Sequence, residues 1–223
     1  MSISASVARV SMRFHHVGKT ICLQRAQRAC LPYLPSLQSV RSRFEMDASK
    51  QRQVSEKLDQ ALEHPTELLL QGGAAVLAQG LEQRATLDID VLPASRFVES
   101  DLRRACAAAD LSFNPLDKEF TEHDYLELVP EETLILPLPS PDRGYNTVFR
   151  GLRLIVKTPP TADLVVGKLK RLDPEDISDV DFLINRFRLT EADLTESFER
   201  LPARFKADPV VQDNLRFVIE DFL

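Results

Sequence analysis

Tryptophan is absent from the 223-residue chain, and only three tyrosines accompany its 12 phenylalanines. A stacking platform for single-stranded nucleic acid draws on such rings, so none is advertised here. Cysteine is scarce too. Cys22, Cys30 and Cys106 cannot build a disulfide framework and show no metal-ligand spacing, which points to a reducing compartment. No stretch approaches the roughly 18 consecutive apolar residues of a membrane span, so an integral membrane protein is not expected. The chain also lacks a Walker-type phosphate loop, a Gly-x-Ser-x-Gly elbow and a His-Glu-x-x-His helix.

Acidic residues are missing from one end. Residues 1–44 hold seven basic side chains and no Asp or Glu, whereas the whole chain carries a net charge of -6. The remainder is therefore strongly acidic, which disfavours broad binding to duplex nucleic acid and allows at most a confined basic cleft. Residues 1–45 form a basic N-terminal segment, disordered or a mis-assigned start. A transit-type targeting peptide and a basic arm for a partner compete with read-through from an upstream start codon. A metal site from His15, His16, Cys22 and Cys30 does not suit a closed tetrahedral centre.

What is present is a globular composition, 43% apolar and 28% charged, of the size of one domain with a helical appendage. Apolar spacing predicts a helix over 48–63 and a buried strand at 67–71. It then predicts a helix over 74–81, a strand at 86–92 and a helix over 94–110 opened by Ala94 or Ser95. Cys106 reads as a small buried hydrophobe in that helix. Short strands follow at 124–129, 133–136, 146–150 and 152–157. After Pro159-Pro160 helices are expected over 161–172, 174–187, 190–200 and 207–222. This order predicts a mixed α/β (α+β) fold, with an α/β core at 46–160 and a helical C-terminal subdomain at 161–223.

Two of only seven glycines, Gly72 and Gly73, are adjacent after the strand Leu68-Leu69-Leu70-Gln71. Glycine lets backbone approach a ligand, and a helix starting there aims N–H groups at the same spot. Steric need at a strand-to-helix turn explains the pair equally well. The next strand reads Thr86-Leu87-Asp88-Ile89-Asp90-Val91. Alternation places Asp88 and Asp90 on one face and the apolar residues on the other. Two parallel carboxylates repel unless a cation lies between them, and their oxygens suit Mg²⁺ or Mn²⁺. The competing reading is the solvent face of an edge strand. Lys168 falls inside the apolar stripe of Leu164, Val165, Leu169 and Leu172 and needs a partner or ligand. A phosphate, a salt bridge toward Asp88 and Asp90, or snorkelling to water would each satisfy it. Asp173, Glu175 and Asp176 read as a helix start, whereas Asp179 and Asp181 are not explained that way.

Gly72-Gly73, a short helix, then Arg84-x-Thr86-x-Asp88-Ile89-Asp90, with the later Lys168-Leu169 and Asp176-x-x-Asp179, resembles the DNA polymerase β-type nucleotidyltransferase superfamily. Within it the chain is most similar to the AbiEii-like, toxin–antitoxin-associated branch, over about residues 66–187. The resemblance implies a mixed-sheet nucleotidyltransferase-like core and transfer of NMP from an NTP to a hydroxyl of RNA (tRNA) or protein. It implies Asp88 and Asp90 as catalytic residues and ligands of Mg²⁺ (or Mn²⁺), with Gly72, Gly73, Arg84, Thr86 and Lys168 binding the nucleotide. A third acid on a neighbouring strand is expected, and Glu127 is the best candidate; His123 is read as a surface residue. A bacterial cytoplasm, with a cognate antitoxin or toxin as partner, is the implied setting. The alternative is a catalytically silent protein of the same fold acting as a binding partner.

Overall fold

The computed structural model describes residues 46–116, 124–130, 133, 135–139 and 144–223. The basic segment 1–45, with its His and Cys residues, and His123 lie outside them. The described residues all belong to one compact unit, 42–223.

Helix α1 (Ala48–Ala61) starts where Asp47 accepts the Lys50 N–H at 2.8 Å, and it buries Val54 and Leu58. Strand β1 (Thr66–Leu69) leads through Gln71 into α2 (Gly72–Ala78), which is followed by β2 (Asp88–Val91). Helix α3 (Glu99–Ala108) precedes the two-residue β3 (Ser112–Phe113) and β4 (Tyr125–Leu128). Strands β5 (Asn146–Arg150) and β6 (Leu154–Thr158) complete the sheet-forming part. Helices follow: α4 (Thr161–Gly167), α5 (Pro174–Phe187), α6 (Glu191–Glu199), α7 (Ala203–Lys206) and α8 (Pro209–Phe222). The fold is the expected mixed α+β one. Among the described residues, no helix is long and apolar enough to cross a membrane.

The strands form two three-stranded sheets, ordered β1-β6-β5 and β2-β4-β3. An antiparallel bridge between Leu70 and Val91 joins them. At this seam the Gln71 N–H donates to the Asp90 carbonyl at 3.0 Å, and the Leu92 N–H donates to Leu69 at 2.8 Å. The seam therefore sets the Gly72-Gly73 turn beside β2. Leu68, Ile89, Val91, Leu126 and Val156 are buried from the sheets, against Val54, Leu102 and Val165 of the helices. Cys106 is fully buried in this core, and burial pushes its thiol up to about 12; it is a packing residue.

Several boundaries differ from the sequence expectation, each for a tertiary reason. The helix expected over 94–110 begins at Glu99. Ser95 Oγ instead accepts the Leu69 N–H at 2.9 Å, and Arg96 exchanges backbone hydrogen bonds with Glu67 at 2.8 Å. The strand expected from Thr86 starts at Asp88, because Thr86 is paired with Met46. The helix expected to reach residue 172 ends at Gly167. There the Lys168 and Leu169 N–H groups tighten to i-3 carbonyls, at 3.1 and 3.2 Å, as helix ends commonly do. Of the strand expected at 133–136, the described residues 133, 135 and 136 lie in no strand.

Candidate active site

Alternation along β2 is observed. Ile89 and Val91 are 4% and 0% exposed in the core, while Asp88 and Asp90 are half-buried on the opposite face. Thr86 Oγ1 donates to Asp88 Oδ1 at 2.5 Å, fixing that carboxylate's rotamer. Strands β2 and β4 run parallel in a register that pairs Asp88 with Tyr125 and Asp90 with Glu127. Directly paired residues of parallel strands project to the same side, with strands about 4.8 Å apart. Glu127 therefore stands beside Asp90, while its neighbour Leu126 is fully buried on the core side with Ile89 and Val91.

The two glycines close on this face. A Cβ on Gly72, whose φ is +61°, would lie 2.5 Å from Asp90 Oδ2. One on Gly73 would lie 2.7 Å from Arg84 Nη2 and 3.2 Å from Thr86 Oγ1. Only residues without a side chain let α2 start this close to the carboxylate and guanidinium. The first N–H groups of that helix have no acceptor within it.

A chain of ion pairs bounds the site on the side of α5. Arg84 is mostly buried; its Nη1 pairs with Glu175, and its Nε lies 3.3 Å from Asp179 Oδ1. Lys168 Nζ lies 2.7 Å from Asp179 Oδ2 and 2.9 Å from Asp176 Oδ1. Arg171 Nε adds a bond to Asp176 Oδ2 at 2.8 Å. Burial opposes ionisation of Asp176, yet the Arg171 hydrogen bonds and the Lys168 charge hold its carboxyl below the usual range. The same Asp176 contact raises the Arg171 pKa. Lys168 thus faces inward, as its place in the apolar stripe requires. Its ion pairs are with Asp176 and Asp179 rather than with Asp88 and Asp90. The helix ends one residue earlier, so Lys168 heads the turn that runs into α5. Asp173 caps α5 by accepting the Glu175 and Asp176 N–H groups. Asp181 accepts from Asn185 on the surface.

An open cleft of about 380 Å³ gathers Gly72, Gly73, Arg84, Thr86, Asp88, Asp90 and Lys168. Seven of the eight residues singled out in the sequence line it. Glu127 lies two residues beyond the lining residue Tyr125, on the same face of β4. Tyr125, Arg171 and Glu175 also line the cleft and were not anticipated as site residues. Tyr125 carries no local signal, since only the β2–β4 register brings it in. Glu175 was absorbed into the helix-start pattern. Asp179 does carry a sequence signal, since it closes the Asp176-x-x-Asp179 motif and is not accounted for by helix capping.

The donor set fits a hard divalent cation. Asp88 and Asp90 offer carboxylate oxygens two residues apart on one face, and the space left by the missing Gly72 side chain is where Asp90 Oδ2 projects. All-oxygen donors on a strand favour Mg²⁺ or Mn²⁺. A second group of candidate ligands, Glu63, His64 and Asp101, has its ligand atoms within 4.8 Å of one another outside the cleft. There Asp101 already accepts from the Glu63 and His64 N–H groups and from Arg104.

A family model described as "Nucleotidyltransferase of unknown function (DUF6036)" matches residues 49–189, more than half of the chain and all of the cleft. No curated protein and no solved structure matches.

Proposed function

The chain belongs to this family of nucleotidyltransferases of unknown function, and on that premise we propose that it transfers NMP from an NTP to a hydroxyl of RNA or protein. Membership carries the general role of nucleotidyl transfer; the metal, the acceptor and the residue roles are our reading. The observation that carries it is the register that pairs Asp90 with Glu127. It supplies a third carboxylate beside the Asp88/Asp90 pair, the feature that separates a transferase from a silent relative of the same fold.

Asp88 and Asp90 would hold Mg²⁺ or Mn²⁺, which when bound neutralises triphosphate charge and polarises the α-phosphate. Glu127 accepts the proton of the acceptor hydroxyl as its oxygen attacks the α-phosphorus and pyrophosphate leaves. Gly72 and Gly73 let the triphosphate lie against backbone N–H groups. Thr86 holds Asp88 in its rotamer. Arg84 and Lys168, braced by Asp179, present cationic groups at the cleft wall. Arg84 and Lys168 are both ion-paired, so the wall is close to neutral, and the acidic face of β2 makes NTP binding dependent on the metal.

For the acceptor, Lys170 and Arg171 are 45% and 64% exposed beside the cleft. Each is paired with an acid, Lys170 with Asp208 and Arg171 with Asp173 and Asp176, so a tRNA would bind at this rim by exchanging those carboxylates for its phosphates. A hydroxyl of a protein is the competing acceptor. The core at 46–160 would carry the chemistry and residues 161–223 the rim. A toxin–antitoxin or phage-defence setting in a bacterial cytoplasm, with a cognate partner, is proposed from the resemblance alone. The test is incubation of the full chain with each α-³²P-labelled NTP and Mg²⁺, with total tRNA or with cell protein. Label should move to one acceptor pool and fail to move with Asp90→Asn. Absence of transfer to either pool would refute the transferase reading.

A further inference from the structure

A second cavity of about 220 Å³ adjoins the carboxylate cleft, sharing Gly72, Lys168 and Arg171 with it. Its other walls differ in chemistry from the cleft. Ile135, Leu136 and Leu164 supply apolar surface, and Gly167 lets the Ile135 backbone come close, since a Cβ there would lie 3.0 Å from the Ile135 carbonyl oxygen. The charged groups that reach it are spoken for. Lys168 is paired with Asp176 and Asp179, Lys170 with Asp208, and Arg171 with Asp173 and Asp176. The Thr133 hydroxyl donates to the Pro130 carbonyl at 2.8 Å.

Gln71 is different. It stands at the N-cap of α2, makes no side-chain capping bond, and lines the cavity half-buried. Among the described residues its amide has no hydrogen-bond partner, although it offers both a donor and an acceptor. A slot of mixed lining, with apolar side chains on one part, internally paired charges on the other and one uncommitted amide, offers a phosphate no unpaired cation. It suits a flat ring system with a polar edge, and a glutamine amide can read such an edge by paired donor and acceptor bonds.

We infer that this cavity takes the nucleobase of the NTP, with Gln71 as the residue that selects among bases. The inference rests on the nucleotidyl-transfer reading above. Because the two spaces have three lining residues in common, a bound NTP would place its phosphates on the side of Asp88 and Asp90 and its base against Ile135, Leu136 and Leu164. Gln71 sits immediately before Gly72, so the residue that reads the base adjoins the turn that meets the phosphates.

The test is calorimetric binding of the four ribonucleoside triphosphates and of inorganic tripolyphosphate, each with Mg²⁺, to the full chain. Wild type should prefer one NTP over the others by about tenfold or more, and bind it more tightly than tripolyphosphate. Gln71→Ala should reduce that preference to about threefold or less and leave tripolyphosphate affinity unchanged. Leu136→Trp, which fills the slot, should weaken every NTP by about tenfold while sparing tripolyphosphate. Melting temperatures of both variants establish that they are folded. If wild type binds tripolyphosphate and all NTPs alike, the nucleobase site is overturned while the carboxylate cleft stands. An unchanged ranking in Gln71→Ala also overturns the role of Gln71. If neither tripolyphosphate nor any NTP binds, both readings fall.

Discussion

Gly72 and Asp90 meet across the seam that joins the two sheets, so closely that a Cβ on Gly72 would lie 2.5 Å from Asp90 Oδ2. The contact joins the turn after β1 to the acidic strand. Gly72 also has a φ of +61°, where an L side chain is disfavoured. Gly72→Ala should therefore cost about 1–3 kcal/mol of stability and displace the Asp90 carboxylate. Urea unfolding measures the first effect, and a weakened affinity for Mg²⁺-NTP measures the second.

In the proposed transfer Glu127 would take the proton of the acceptor hydroxyl. Glu127→Gln keeps its shape and removes its basicity. The expected result is a fall in kcat of about 10²-fold or more, with NTP affinity retained. Single-turnover label transfer and calorimetry separate the two. Unchanged kcat would assign Glu127 to the strand surface alone.

Asp179 is fully buried between Arg84 and Lys168. Removing it leaves two largely buried cations without their shared counter-charge. Asp179→Ala should cost about 3–5 kcal/mol, the range for breaking a buried ion pair by deleting one partner. Denaturant midpoints compared with the exposed control Asp181→Ala, which should shift stability by less than about 0.5 kcal/mol, check this.

Asp101 is one of the carboxylates that contribute to acid stability. Burial works against its ionisation, but the His64 N–H and ring, the Glu63 N–H and Arg104 outweigh it and hold its pKa at about 2, below the ordinary 3.8. A depressed folded-state pKa gives stabilisation that is complete above the unfolded value and is lost as pH falls through the folded one. Wild type should thus lose part of its stability between about pH 4 and pH 2. Asp101→Asn should be less stable at pH 7 by about 1–3 kcal/mol and show a shallower acid limb. Thermal unfolding across that pH range distinguishes them.

Much of the site was legible because its signals are local. Two acids alternating with Leu87, Ile89 and Val91 define a face without knowledge of the fold, and Gly72-Gly73 after an apolar strand marks a turn of close approach. Glu127 was legible as a candidate but not as a neighbour of Asp90, since strand register is a property of residues 37 positions apart. Lys168 was correctly read as facing inward. Its partners were not, because the helix carrying it ends at Gly167 and hands the lysine to Asp176 and Asp179. Ser95 looked like a helix cap and is a hydrogen-bond partner of β1; its side chain serves either role, and tertiary pairing decided. Gln71 carried no signal in the sequence, because an uncommitted amide is recognised only once its surroundings are seen.

The most direct measurement is thermal unfolding of the full chain with each NTP, with and without Mg²⁺, alongside Asp88→Asn/Asp90→Asn. A ligand at a hundred times its Kd stabilises a protein by about 2.7 kcal/mol, a clear rise in Tm. A rise for at least one NTP that requires the metal and vanishes in the double variant is the expected result. No rise with any NTP, or a rise that persists without the two carboxylates, would contradict the assignment of Asp88 and Asp90 as the metal-nucleotide site.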